Sequence, residues 1–221
     1  MTALKSSPSE VEVRAMAAGD VAQVASLHRR VFPDYFLSHL GYRFLRRYYL
    51  EFVERAGNHG FVAAHGGALV GFVVGTVNSA SLYRGFYRRN FLRLAPITVA
   101  RVLVDPFILR NIAGRMSHVG YAVRSLLAPG ADEPTSQPTA ASSHVPARLL
   151  SIGVAHECRG CGIAEELVRQ LCRRLSQEGF GSVGLSVRVD NSRAIGFYEK
   201  TGWQREPDGG STVGFVRPTQ A

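Results

Sequence analysis

The chain has 221 residues, 46% of them hydrophobic and 19% charged, with 26 Lys and Arg against 17 Asp and Glu. It is too apolar for a disordered chain and lacks collagen or coiled-coil bias, and its length suits one large domain or an ordinary domain with an insertion. The formal charge of +9 points to an anionic partner such as a nucleotide, nucleic acid or membrane surface, and leaves the fold open.

The first ten residues, MTALKSSPSE, carry no apolar run that would serve as a secretory leader. A helical pattern then runs through VAQVASLHRRVF with Asp20 as its expected cap, and Pro33 ends it. A second helix is expected from Ser38, where Leu40, Phe44, Leu45, Tyr48, Tyr49, Phe52 and Val53 recur at three- and four-residue steps. FVAAH and ALVGFVVGTV, joined by Gly66-Gly67, read as a hairpin. Ala56–Tyr83 holds no Asp, Glu, Lys or Arg. Six glycines (57, 60, 66, 67, 71 and 75) interrupt it, whereas a membrane-spanning helix needs about 20 consecutive, mostly apolar residues.

Residues 81–127 differ in character, being rich in Arg, Tyr, Phe and Leu and punctuated by Pro96, Pro106 and Gly114; short helices are expected there. Arginines 84, 88, 89, 93, 101, 110, 115 and 124 face a single acid, Asp105, so most of the chain's excess charge lies in this segment. APGADEPTSQPTAASSHVPA follows and reads as a flexible linker. Order returns with the strand ARLLSIGVA, the amphipathic helix GIAEELVRQLCRRLSQEG closed by Gly179, and the strand SVGLSVRV. A short helix NSRAIGFYEKTG and a last strand STVGFV complete an α/β alternation.

The turn into the amphipathic helix carries the first chemical signal. It reads Cys158-Arg-Gly-Cys-Gly-Ile-Ala164, with glycines that let backbone approach a ligand and a helix N-terminus suited to a pyrophosphate. A Walker A sequence is excluded, since no Lys-Ser/Thr follows the second glycine, and so is the three-glycine dinucleotide pattern. An ordinary tight turn remains the competing reading of the glycines alone.

From Leu149 to Glu206 the chain closely resembles the acetyl-CoA-binding core of the GNAT superfamily of N-acetyltransferases, through LLSIGVAHECRGCGIAEELVRQL and LSVRVDNSRAIGFYEKTGW. In the family's R/Q-x-x-G-x-G/A turn, Arg159, Gly162 and Ala164 take the marked places, with Gly160, Cys161 and Ile163 between them; Asn191 and Tyr198 match the family's Asn and Tyr. The resemblance implies a mixed, mainly antiparallel central sheet flanked by helices, with 78–146 as a helical insertion and linker between the third and fourth strands of a single domain, 1–221.

It also implies acetyl-CoA as co-substrate, the turn 159–164 as pyrophosphate cradle, backbone of the strand carrying Ile152 and Val154 pairing with the pantetheine arm, and Tyr198 as general acid. Asn191 would hold the pantetheine or the splayed backbone, or cap the next helix. The expected reaction is acetyl transfer to a primary amine, on a small or sugar-linked acceptor with an anionic portion. A protein N-terminus and a non-catalytic acyl-CoA-binding regulator are the alternatives.

The segment is most similar to the ribosomal-protein alanine N-acetyltransferases, which place a Glu where this chain has Ser186. The base is therefore open among His144, His156, Glu157 and a water held by Ser151 and Ser186. Cys158-x-x-Cys161 at a helix N-terminus admits a redox pair with a lowered thiol pKa, although small residues in a phosphate turn are the default and no metal is expected. FPDYFLSHLGYRFLRRYYLEF is similar to members associated with surface-polysaccharide synthesis. For residues 81–127 three readings stand: a solvated cap, a lid for a phosphate- or carboxylate-bearing acceptor, or a peripheral contact with anionic lipid. A cytoplasmic monomer or homodimer is expected, with no nucleic-acid partner.

Overall fold

The computed structural model describes residues 11–90, 147–207 and 210–220. In chain order over these residues the elements are β1 (Glu12–Ala15), α1 (Val21–Val31), α2 (Phe36–His39), α3 (Tyr42–Glu54), β2 (Asn58–His65), β3 (Ala68–Thr76), α4 (79–90), β4 (Ala147–Val154), α5 (Ile163–Gln177), β5 (Ser182–Arg188), α6 (Ser192–Lys200), β6 (Gln204–Arg205) and β7 (Thr212–Pro218). The strands form one seven-stranded sheet in the order β1-β2-β3-β4-β5-β7-β6. Every neighbouring pair is antiparallel except β4 with β5.

Helix α5 packs one face of the sheet with the stripe read from the sequence: Ile163, Leu167, Val168, Leu171 and Leu175 are all buried. Gly71 and Gly75 on β3 make room for it, since a Cβ at either would stand about 3 Å from Leu167 or Leu171. Gly179 ends the helix at φ +85°, and Phe180 N–H returns to the Leu175 carbonyl at 3.0 Å.

Helices α1 and α3 cover the opposite face over β2, β3 and β4. The single second helix expected from Ser38 is instead two, because Gly41 at φ +92° starts α3 afresh. Asp20 does not cap α1 as expected; its carboxylate accepts the Ala17 N–H at 2.8 Å and two bonds from Arg14 at 2.6 and 2.8 Å. That tie joins β1, which the sequence reading had not located, to the start of α1.

Between β3 and β4 the insertion begins as the helix α4, and residues 91–146, including the rest of the basic segment and the linker, lie outside the described residues. α4 docks on α3: Phe86 packs edge-on against Phe44 and Tyr48 with centroids 5.4 and 5.9 Å apart, and Arg89 pairs with the buried carboxylate of Glu51. Replacing the buried Phe86 removes this ring cluster. We expect Phe86→Ala to lower the unfolding free energy by about 3–5 kcal/mol in urea titrations; a loss below about 1 kcal/mol would show that α4 does not belong to the core.

Candidate acetyl-CoA site

The central feature is where β4 and β5 part. They pair only at Ala147↔Val183 and Arg148↔Gly184. Just beyond, β4 bulges: Val74 and Gly75 of β3 pair with Ser151 and Leu149, leaving Leu150 unmatched. The two strands then diverge as a wedge. Ala155 N–H is bonded to Val70 of β3 at 2.8 Å, so by strand alternation the backbone groups of Ile152 and Val154 point the other way, toward β5. Those groups offer an extended amide ligand the ladder that β5 withholds.

At the open end of the wedge lies the turn 159–164. Gly160 and Gly162 adopt φ +81° and +76°, and a Cβ at either would meet nothing within 4 Å. Gly162 is the N-cap of the 15-residue α5 and has no side chain to cap it, so the N–H groups of Ile163, Ala164 and Glu165 remain available to an anion. Arg159 is tethered within the turn, Nε donating to the Val154 carbonyl at 3.1 Å and Nη1 lying 2.9 Å from His156 Nδ1. Partial burial and the nearby Arg193 lower its pKa. A cavity of about 340 Å³ opens on the β1 side of the same turn, against Val13, Ile163 and Arg169, and so lies away from the wedge.

Helix α6 closes the wedge beyond β5. Asn191 caps it, accepting the Ala194 N–H at 3.2 Å, and its amide donates to the Tyr35 hydroxyl at 3.2 Å. Tyr198 lies buried on the same helix among Phe197, Trp203 and Phe215 at 5.3–5.5 Å. Burial, reinforced by Tyr35, pushes its pKa well above that of an ordinary phenol. The expected site residues thus come from three places in the fold: β4, the turn into α5, and α6.

The candidate bases fare differently. His156 and Glu157 follow β4 at the turn end, where His156 meets Arg159 and Glu157 faces Arg30 at 3.9 Å; the paired end of the wedge is at the other end of the strand. His144 lies outside the described residues. Ser186 accepts from Arg148 Nη2 at 2.8 Å. Burial, with Glu157 and Cys161 adding to it, raises the Cys158 thiol, opposite to the activation a redox thiol needs.

One group of residues escaped the sequence reading. His28 Nδ1 lies 2.6 Å from the Tyr49 hydroxyl, and both residues are buried, at 2% and 0% exposure. His28 lies on the buried face of α1, and its partner Tyr49 comes from α3, distant in sequence.

Residues 137–203 match the model of the Acetyltransferase (GNAT) family. The matched stretch runs from just before β4 to the end of α6, and it is the part of the chain that is similar to GNAT acetyltransferases. No curated protein matches the chain. Among solved structures the GNAT fold is shared with the PaiA N-acetyltransferase of Thermoplasma acidophilum in complex with coenzyme A. That pair is 12% identical over 94% of this chain and 98% of that one, with a TM-score of 0.57. The Vibrio cholerae spermidine N-acetyltransferase is 16% identical over 96% and 95%, and the Escherichia coli ribosomal-protein-S18-alanine N-acetyltransferase 12% over 96% and 95%, each with a TM-score of 0.52.

No helix among the described residues is long and apolar enough to cross a membrane. A Cβ at residue 162 would force a non-glycine residue into the left-handed region, costing roughly 1–2 kcal/mol. Gly162→Ala should therefore lower the unfolding free energy by about that amount in urea titrations.

Proposed function

We propose that the protein is a GNAT acetyltransferase that transfers the acetyl group of acetyl-CoA to the primary amine of a small or sugar-linked acceptor that also carries an anionic group. The observation that carries this reading is Arg148. Its guanidinium is half-buried on the face of the wedge not covered by α5, and its hydrogen-bond partner is the neutral hydroxyl of Ser186. No carboxylate among the described residues lies within ion-pairing distance of it; Glu206 acts on it only from farther away. A partly desolvated arginine paired only to a hydroxyl favours a carboxylate or phosphate and disfavours a polycation.

The chemistry follows from the cleft. The pyrophosphate lies on the α5 N-terminus, and the pantetheine runs along Ile152 and Val154, which brings the thioester toward the narrow end near Ser151. The free amine attacks the thioester carbon, the C–N bond forms and the C–S bond breaks. The leaving sulfur takes the Tyr198 phenol proton, the amine releases one proton to solvent, and Tyr198 is reprotonated from solvent. A desolvated phenol keeps its proton until thiolate charge develops beside it.

The test is thiol release from acetyl-CoA with amino-sugar phosphates, polyamines and peptides offered in parallel. Turnover confined to the anionic amines supports the reading, and turnover confined to polyamines or peptide N-termini overturns it. Arg148→Gln should raise the KM for an anionic amine about tenfold or more with kcat little changed. Tyr198→Phe should lower kcat about 10²-fold while the acetyl-CoA Kd stays within about twofold. Because the Tyr198 pKa is raised, its proton stays in place as pH increases. The wild-type kcat should show no fall below about pH 10 that Tyr198→Phe abolishes.

A further inference from the structure

Charge is distributed unequally over the two faces of the sheet. The helical layer of α1 to α4, residues 21–54 and 79–90, holds eight arginines against Asp34, Glu51 and Glu54. On the other face, α5 and its C-cap hold Arg169, Arg173 and Arg174 against Glu165, Glu166 and Glu178. Pairing differs as well. On α5, Arg169 pairs with Glu166 and Arg174 with Glu178, so neighbouring turns neutralise each other. On the opposite layer Arg89 is bound to Glu51, and Arg30 lies 3.9 Å from Glu157. The other six, Arg29, Arg43, Arg46, Arg47, Arg84 and Arg88, have no carboxylate within ion-pairing distance among the described residues.

All six are exposed, and their spacing stacks like charges. Arg43 and Arg47 lie four residues apart on α3, and Arg84 and Arg88 four apart on α4, the separation at which like charges repel across a helical turn. Arginine content alone does not make this pattern, because α5 is as rich in arginine and carries its own acids. A layer whose repulsion the fold leaves unrelieved is stabilised when an anionic body supplies the missing counter-charge.

We propose that the layer of α1, α3 and α4 is a docking face for an anionic lipid surface. Two features select a bilayer from other polyanions. The arginines are spread over three helices rather than gathered along one groove, which matches an extended charged plane. The chain also leaves this layer at Asn90 into the sequence FLRLAPITVARVLVDPFIL, where Arg93, Arg101 and Asp105 are the only charges among mostly apolar residues. Apolar residues beside a basic face suit the boundary between headgroups and acyl chains, and find no counterpart on a nucleic-acid backbone. Docking is the same whichever amine is acetylated.

The test is partition of the full-length protein onto vesicles, read by co-sedimentation. Vesicles of equimolar phosphatidylcholine and phosphatidylglycerol should bind it, those of phosphatidylcholine alone should not, and added salt should release it. Arg43→Gln/Arg47→Gln and Arg84→Gln/Arg88→Gln should each weaken partition about tenfold or more. Arg169→Gln/Arg173→Gln removes the same charge at the same spacing from α5 and should change partition by less than about twofold. Because Arg43→Gln/Arg47→Gln relieves repulsion, its unfolding midpoint should not fall, which separates lost docking from lost folding. Absence of binding to the anionic vesicles would overturn the proposal. An equal loss in the α5 variant would also overturn it, by reducing the effect to net charge. Displacement of the protein from the vesicles by duplex DNA or RNA at matched phosphate concentration would assign the face to nucleic acid and overturn a lipid partner.

Discussion

Everything in the site depends on β4 and β5 ceasing to pair after two residues. A parallel pair that continued would satisfy its own backbone groups and leave no room for a ligand. The unmatched Leu150 turns β4 away from its neighbour at the point where pairing stops. The sheet is interrupted there, and the Val154 carbonyl accepts from Arg159 Nε instead of from β5. The antiparallel β5–β7 ladder and the β2–β3–β4 ladder hold the two halves of the sheet on either side of this gap.

Around the gap, each element supplies one kind of chemistry. The α5 N-terminus provides positive polarity without a titratable group, because glycine rather than a capping side chain precedes it. α6 supplies a phenol kept neutral by its aromatic neighbours. β4 supplies Arg148, which donates to Ser186 of β5.

Much of this was legible in the sequence where the signal was local. The α5 stripe, the Gly66-Gly67 hairpin, the Gly179 stop and the glycines of the turn each depend on residues a few positions apart, and the helical start of the insertion followed from composition. Two details failed for a local reason as well: Gly41 split a helix whose periodicity ran straight through it, and Arg14 drew the Asp20 side chain away from the α1 cap. The Tyr49–His28 and Arg148–Ser186 contacts were not legible, because each joins elements far apart in sequence through single atoms. Tyr49 is indistinguishable by pattern from the core aromatics beside it.

The docking of α4 changes how the inserted segment relates to the rest of the molecule. Glu51, which Arg89 clamps, and Tyr49, whose hydroxyl meets His28, lie two residues apart on α3, and Phe86 packs against the adjacent Tyr48. Excising the insertion would not return a smaller ancestral core. It would strip the outer layer from α3, leaving Phe44 and Tyr48 facing water beside a carboxylate with no counter-charge. α3 would then be a surface helix, so α4 serves as the outer layer over it.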